Sequence, residues 1–114
     1  MNSEIAYSKD FLRDLKHLRK KHRSIESDVV SLIADLRENP LQGTDIGLNM
    51  RKIRLPISSK GRGKSGGARV ITHVTVVVEI DSAKVNLLKI YDKSERESIT
   101  DAELRALLKK NGLL

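Results

Sequence analysis

The sequence predicts an α+β fold: an N-terminal helical hairpin packed on a small, mainly antiparallel twisted sheet, closed by a short C-terminal helix. Two observations carry this. Apolar residues recur at helical spacing up to Asn39-Pro40, and after Met50 the period drops to two and β-branched residues take over. A Thr-x-x-Glu pattern at Thr100 and Glu103 then marks a return to helix. The 114 residues suffice for one modest core, so a single domain over residues 1–114 is expected.

Each element follows from its residues. Glu4 to Tyr7 reads as a short strand, and Ser8 can cap the helix after it, in which Phe11, Leu15 and Leu18 form one stripe with Leu12 beside it. Ser24 is the expected N-cap of a second helix, with Glu26 and Asp28 in its first turn and Ile25, Val29, Leu32, Ile33 and Leu36 at helical spacing. Leu41 to Met50, punctuated by Gly43 and Gly47, reads as loop. Arg51 to Leu55, Ala68 to Val78 and Lys84 to Tyr91 are expected strands, the last two joined by the turn EIDSA. Strands that follow one another without helices suggest an antiparallel meander. Leu104, Leu107 and Leu108 then give a short amphipathic helix that ends near Gly112.

Charge is distributed unevenly. The chain carries 22 Lys/Arg and 15 Asp/Glu, a net +7. That whole excess lies in RKIRLPISSKGRGKSGGAR, Arg51 to Arg69, which holds seven cations and no acid. Acid-free sequence continues from Ile46 to Val78, so no carboxylate nearby in sequence offsets these cations, and a polyanion such as RNA or DNA is the natural partner. A solvated loop that aids solubility is the plainer alternative. With no Trp, one Phe and two Tyr, base-stacking platforms are nearly absent, and nucleic-acid contact must lean on phosphate charge. The absence of Cys excludes disulfides, thiolate metal sites and thiol nucleophiles. The first residues have no apolar signal region and the longest apolar run is too short to span a bilayer, so a soluble, cytoplasmic protein without a membrane partner is expected.

Strand parity sharpens the site. Val70, Val74, Val76 and Val78 share one face, assigned to the core beneath the hairpin, and Arg69, Ile71, His73 and Thr75 share the other. Lys52 and Arg54 stand opposite Ile53 and Leu55. On the last strand Leu88 and Ile90 are assigned to the core, with Lys89, Tyr91 and, past the end, Lys93 opposite. One sheet face is thus expected to gather Lys52, Arg54, Arg69, Lys89, Tyr91 and Lys93. Ile71, Val77, Val85 and Leu87 point there too, so this face needs a partial lid, either the C-terminal helix or a partner protein.

Other motifs lead nowhere. Gly63-Lys64-Ser65 matches the end of a phosphate-binding P-loop, but Ser58 stands where its first glycine belongs and the segment leads into a strand. His17 and His22 are five apart, and no carboxylate cluster accompanies His73, so no metal site is expected and the histidines read as surface or structural. The glycines of KGRGK would let Lys60, Arg62 and Lys64 follow a phosphate chain.

The order of elements, together with MRKIRLPISSKGRGKSGGAR at Met50 to Arg69 and LLKIYDKSE at Leu87 to Glu95, resembles the RelE/ParE toxin superfamily, and within it the HigB-like branch. The resemblance covers nearly the whole chain and implies a RelE-like fold. It also implies a type II toxin, usually a ribosome-dependent mRNA endonuclease without a cofactor. Its partners would be messenger RNA, the ribosome and a cognate antitoxin, often a helix-turn-helix, HigA-like protein through which alone the complex reaches operator DNA. A ParE-like inhibitor of DNA gyrase shares the scaffold, and a non-enzymatic nucleic-acid-binding module is the third reading.

Metal-free RNA cleavage needs a base for the attacking 2'-hydroxyl, stabilisation of phosphorane charge, and an acid for the leaving 5'-oxygen. Arg69, on a strand, is the expected transition-state stabiliser through its planar donor fork. Lys52, Arg54 and Lys93 would hold the backbone or share that role. Lys52 or Lys93 could also serve as base or acid, and Tyr91 could stack on a base or donate a proton. Lys60, Arg62, Lys64 and Lys89 are assigned to RNA binding. Some relatives use a His or a C-terminal Tyr, but this chain has no aromatic residue beyond Tyr91, which leaves the acid–base pair unassigned. Asp92 falls at an acidic position used in some relatives, although a carboxylate at a strand end is more commonly a turn or cap residue.

Overall fold

Ser8 ends one element and starts the next. Its Oγ accepts from the Phe11 amide at 3.0 Å and donates to the Leu88 carbonyl at 2.9 Å, so the cap of the first helix is also pinned to the sheet. The computed structural model describes residues 2–61 and 66–114. In chain order the elements are β1 (Asn2–Tyr7), α1 (Lys9–Arg19), α2 (Ile25–Glu38), β2 (Thr44–Gly47), β3 (Met50–Leu55), β4 (Ala68–Val77), β5 (Ser82–Asp92) and α3 (Asp101–Lys110), with a single 3-10 turn at Ser58–Lys60 and another at Val78–Ile80. The sheet order is β1-β5-β4-β3-β2. β1 runs parallel to β5, and the other neighbours are antiparallel.

The α+β architecture and the hairpin are as the sequence predicts. Phe11, Leu18, Ile25, Val29, Leu32, Ile33 and Leu36 are buried against Ile53, Leu55, Ala68, Val70 and Val74. At about 1.5–3 kcal/mol for each large apolar side chain, this layer is the main source of stability. Leu12 is 52% exposed and stands outside the stripe. Ser24 is not a conventional cap: its backbone is already helical and its side chain makes no capping bond. Its Oγ instead donates to Asp28 at 2.8 Å and accepts from the Ser59 amide at 2.9 Å, tying α2 to the 3-10 turn. Asp28 also accepts from the Ser58 amide and hydroxyl.

The expected loop at Leu41 to Met50 contains β2, an edge strand against β3 too short and glycine-bounded to show a period. The faces of β5 differ more. Ile71 opposes Lys89 but Thr72 opposes Leu87, so Leu88 is a bulged residue without a partner on β4. The extra residue reverses parity: Val85, Leu87 and Ile90 pack under the helical hairpin, whereas Leu88 and Tyr91 face the other way. Val76 and Val78, assigned to the core, are exposed because the β4–β5 hairpin runs past the helices.

The second face is covered by α3. Leu104, Leu107 and Leu108 pack on Met50, Ile71, Leu88, Tyr91 and Ile99, so the lid is the C-terminal helix. Its capping box is complete: Thr100 Oγ1 accepts from the Glu103 amide, and Glu103 accepts from the Thr100 amide. Arg96 also bonds Glu103. Thr100→Ala is expected to cost about 1 kcal/mol, read as a lower urea midpoint at unchanged slope.

His73, buried on β4 opposite Met50, has no hydrogen-bond partner for Nδ1 among the described residues. Burial pushes its pKa below the ordinary 6.5. The unfolded chain therefore takes up this proton first as pH falls, and stability declines from about pH 6.5 downward until the folded state also protonates. The urea midpoint of the native chain is expected to fall between pH 7.5 and 5.5 by more than that of His73→Gln. No described helix is long and apolar enough to cross a membrane.

Candidate cationic cleft

Register builds the site. Lys52 and Arg54 share the face of Met50, opposite Ile53 and Leu55. Arg54 pairs directly with Arg69, and Arg69 in turn with Tyr91, so three adjacent strands set these side chains in one row. Lys93, two residues beyond Tyr91, returns to the same face, held where its amide donates to the Gly67 carbonyl at 3.1 Å. The result is a cleft of about 240 Å³ lined by Lys52, Arg54, Arg69 and Lys93, with Thr44 and Ile46 of β2 and one carboxylate, Glu97.

Like charges directly opposite on a sheet are repulsive, by about 0.2–1 kcal/mol. Arg54 and Arg69 hold such a position, and Arg69 is only 4% exposed, its Nη1 donating to the Ala68 carbonyl at 3.1 Å. A concave surface with four cations and one acid is built for an anion whose oxygens can accept several N–H bonds at once. Among the described residues, no group of three or more His, Cys, Asp or Glu stands close enough to hold a metal ion.

The remaining candidates divide. Tyr91 adjoins the row but belongs to the apolar cluster under α3 and does not line the cleft. Burial raises its pKa, against the opposing pull of Arg69 and Arg96, and its hydroxyl has no hydrogen-bond partner among the described residues. Lys89 opposes Ile71 on the face that α3 covers, as expected, but it does not line the cleft. It follows the bulge, lies past the end of β1, and bonds Asp14 of α1 at 3.0 Å. Lys60 is likewise engaged: its ammonium bonds Asp92 at 3.0 Å and the Gly66 carbonyl at 3.1 Å. Arg62 and Lys64 lie outside the described residues.

Sequence reasoning missed three features. The β2 wall left no periodic signal. Glu97 stands outside every strand. The network around Asp92 joins segments distant in sequence: its carboxylate accepts from His22 Nε2 at 2.7 Å, from Lys60, and from the Ser94 hydroxyl and amide at 2.7 and 2.9 Å. Burial alone would raise its pKa, but the bonds from Ser94, Lys60 and His22 outweigh burial and hold the carboxyl well below the usual carboxylate range. Next to it, Glu95 accepts from Lys21 and from His17.

No family model matches this chain, and no curated protein matches it. Among solved structures, it matches E. coli toxin RelE, in a free-state structure of a double arginine-to-alanine mutant, with a TM-score of 0.57 and 19% identity over 92% of this chain and 98% of that one. The fold is RelE-like. The helical hairpin, the five-stranded mixed sheet and the C-terminal helix fit that fold.

Proposed function

We propose that this chain is the toxin of a type II toxin–antitoxin pair, of the HigB-like branch, acting as an endoribonuclease on messenger RNA under translation at the ribosome. The observation that carries this reading is the cleft itself: four cations from three segments converge on a concave surface with one acid. A RelE-like fold supports it.

In the reaction the 2'-oxygen attacks the adjacent phosphorus, the P–O5' bond breaks, and the products are a 2',3'-cyclic phosphate and a 5'-hydroxyl. One proton leaves the 2'-hydroxyl and another reaches the 5'-oxygen. Arg69, rigid on its strand, offers a planar pair of N–H donors to the phosphorane oxygens, and Arg54 adds charge beside it. Glu97, Lys52 and Lys93 are the cleft side chains able to exchange protons, and they supply the acid and base. Tyr91 backs Arg69 from the apolar side. Lys60 and Lys89, already paired with carboxylates, are structural in this reading, while Arg62 and Lys64 bind RNA phosphates. The neutralising partner is a cognate antitoxin, a helix-turn-helix protein of the HigA-like kind, through which the complex reaches operator DNA.

The test is induction in cells beside Arg69→Ala, with 5' ends of total messenger RNA mapped and growth scored. Cuts inside translated reading frames that vanish in the variant support the proposal. Growth arrest with DNA damage and no cuts would replace it with gyrase inhibition. Salt-sensitive RNA binding without turnover would leave a plain binding module.

A further inference from the structure

We propose that Asp92 is a positioning residue for the cleft, acting through Lys93, an inference that rests on the cleavage reading above. Asp92 is 2% exposed and lies one residue before Lys93, with its side chain on the opposite face of the strand. It cannot reach a substrate in the cleft. Its role lies in what it joins.

Three segments meet on this carboxylate. His22 belongs to the turn between α1 and α2, Lys60 to the 3-10 turn after β3, and Ser94 to the turn that leaves β5. An ionised acceptor requires His22 Nε2 to carry its proton, so four donors converge on two oxygens. Lys60 also bonds the Gly66 carbonyl, so one ammonium ties both stems of the basic segment to the end of β5. Gly67, next in the chain, accepts from the Lys93 amide at 3.1 Å.

Lys93 is thereby held from two sides: Asp92 fixes the strand end before it, and Gly67, steadied by the Lys60 tie, fixes its own backbone. Lys93 follows β5, where no ladder sets its place, so this knot sets its distance to Arg69 and Arg54. Cleavage needs that distance kept closely, since a displacement near 1 Å can cost about 10²-fold in rate.

The experiment uses Asp92→Asn, Lys60→Met, Lys93→Ala and the Asp92→Asn/Lys93→Ala double variant. Amide hydrogen exchange reads the position directly. In Asp92→Asn and Lys60→Met the Lys93 amide is expected to exchange at least about tenfold faster, while the Val74 amide, bonded to the Asn49 carbonyl in the sheet, is unchanged. Lys60→Met keeps the His22 and Ser94 bonds, and so answers the question should Asp92→Asn fail to fold. In cleavage, Asp92→Asn is expected to lose about tenfold to a hundredfold alone, and to add little to the loss already caused by Lys93→Ala. If the two losses multiply, Asp92 acts on the whole fold and the proposal fails. It fails equally if Lys93 exchange is unmoved. Should the native chain cut no RNA, the functional reading falls, and the exchange measurement still decides whether Asp92 positions Lys93.

Discussion

Arg69→Ala is expected to reduce message cleavage by about 10²–10³-fold, the usual loss on removing one preorganised donor from a charge-stabilising site. The side chain is nearly buried, held on a central strand with Nη1 bonded to the Ala68 carbonyl and faced by Arg54 across the ladder, so its position is set before a phosphate arrives. Arg69→Lys restores the charge without the planar fork and is expected to remain about tenfold or more below the native rate. Stability separates loss of chemistry from loss of fold. Removing one of two facing cations relieves up to about 1 kcal/mol of repulsion, which offsets lost packing, so the urea midpoint is expected to change little. Cleavage by Arg69→Ala within a few-fold of the native rate would remove Arg69 from the mechanism.

Gly67→Ala is expected to destabilise the fold by about 3 kcal/mol, at the upper end for overpacking, and to impair cleavage with it. A β-carbon there would stand 2.3 Å from the Leu55 carbonyl oxygen and 3.0 Å from Pro56 Cα. Both are backbone atoms, which cannot swing aside as a side-chain tip can. Gly67 is not among the positive-φ glycines, so crowding and not dihedral strain is the cause. The chain entering β4 must move, and it carries the carbonyl that holds the Lys93 amide. Chemical denaturation measures the first effect, and a midpoint equal to that of the native chain would refute it.

What the sequence could show depended on whether a feature was local. Helix stripes and the Thr100–Glu103 box are fixed by residues three or four apart, and they stand where the pattern placed them. Parity over β3 and the first half of β4 was equally legible, because an unbroken strand alternates, and it brought Lys52, Arg54 and Arg69 together. The bulge at Leu88 defeated the same reasoning on β5. One inserted residue changes no composition and leaves no mark in the period, yet it sends Val85 and Leu87 to one face and Leu88 to the other, against the expected parity. Lys60 counted as a free cation for a similar reason: its partner Asp92 is distant in sequence and appears only when the turns fold together.

The first strand of this chain pairs with the last. Asn2 opposes Ser82 and Tyr7 opposes Leu87, and the cap at Ser8 bonds a carbonyl 80 positions away. Closing so long a loop costs about 2 kcal/mol more than closing one of ten residues, so the meander and the helical hairpin form ahead of it and β1 docks late. During synthesis the order is stricter still. A nascent chain already displays Lys52, Arg54 and Arg69 before β5, Lys93 or the covering helix exist, and its sheet has no closed edge on which to build the cleft. The cleft is therefore complete only when Lys93 and Glu97 have joined Lys52, Arg54 and Arg69, and on the proposed reading a chain without β5 is expected to cut no message.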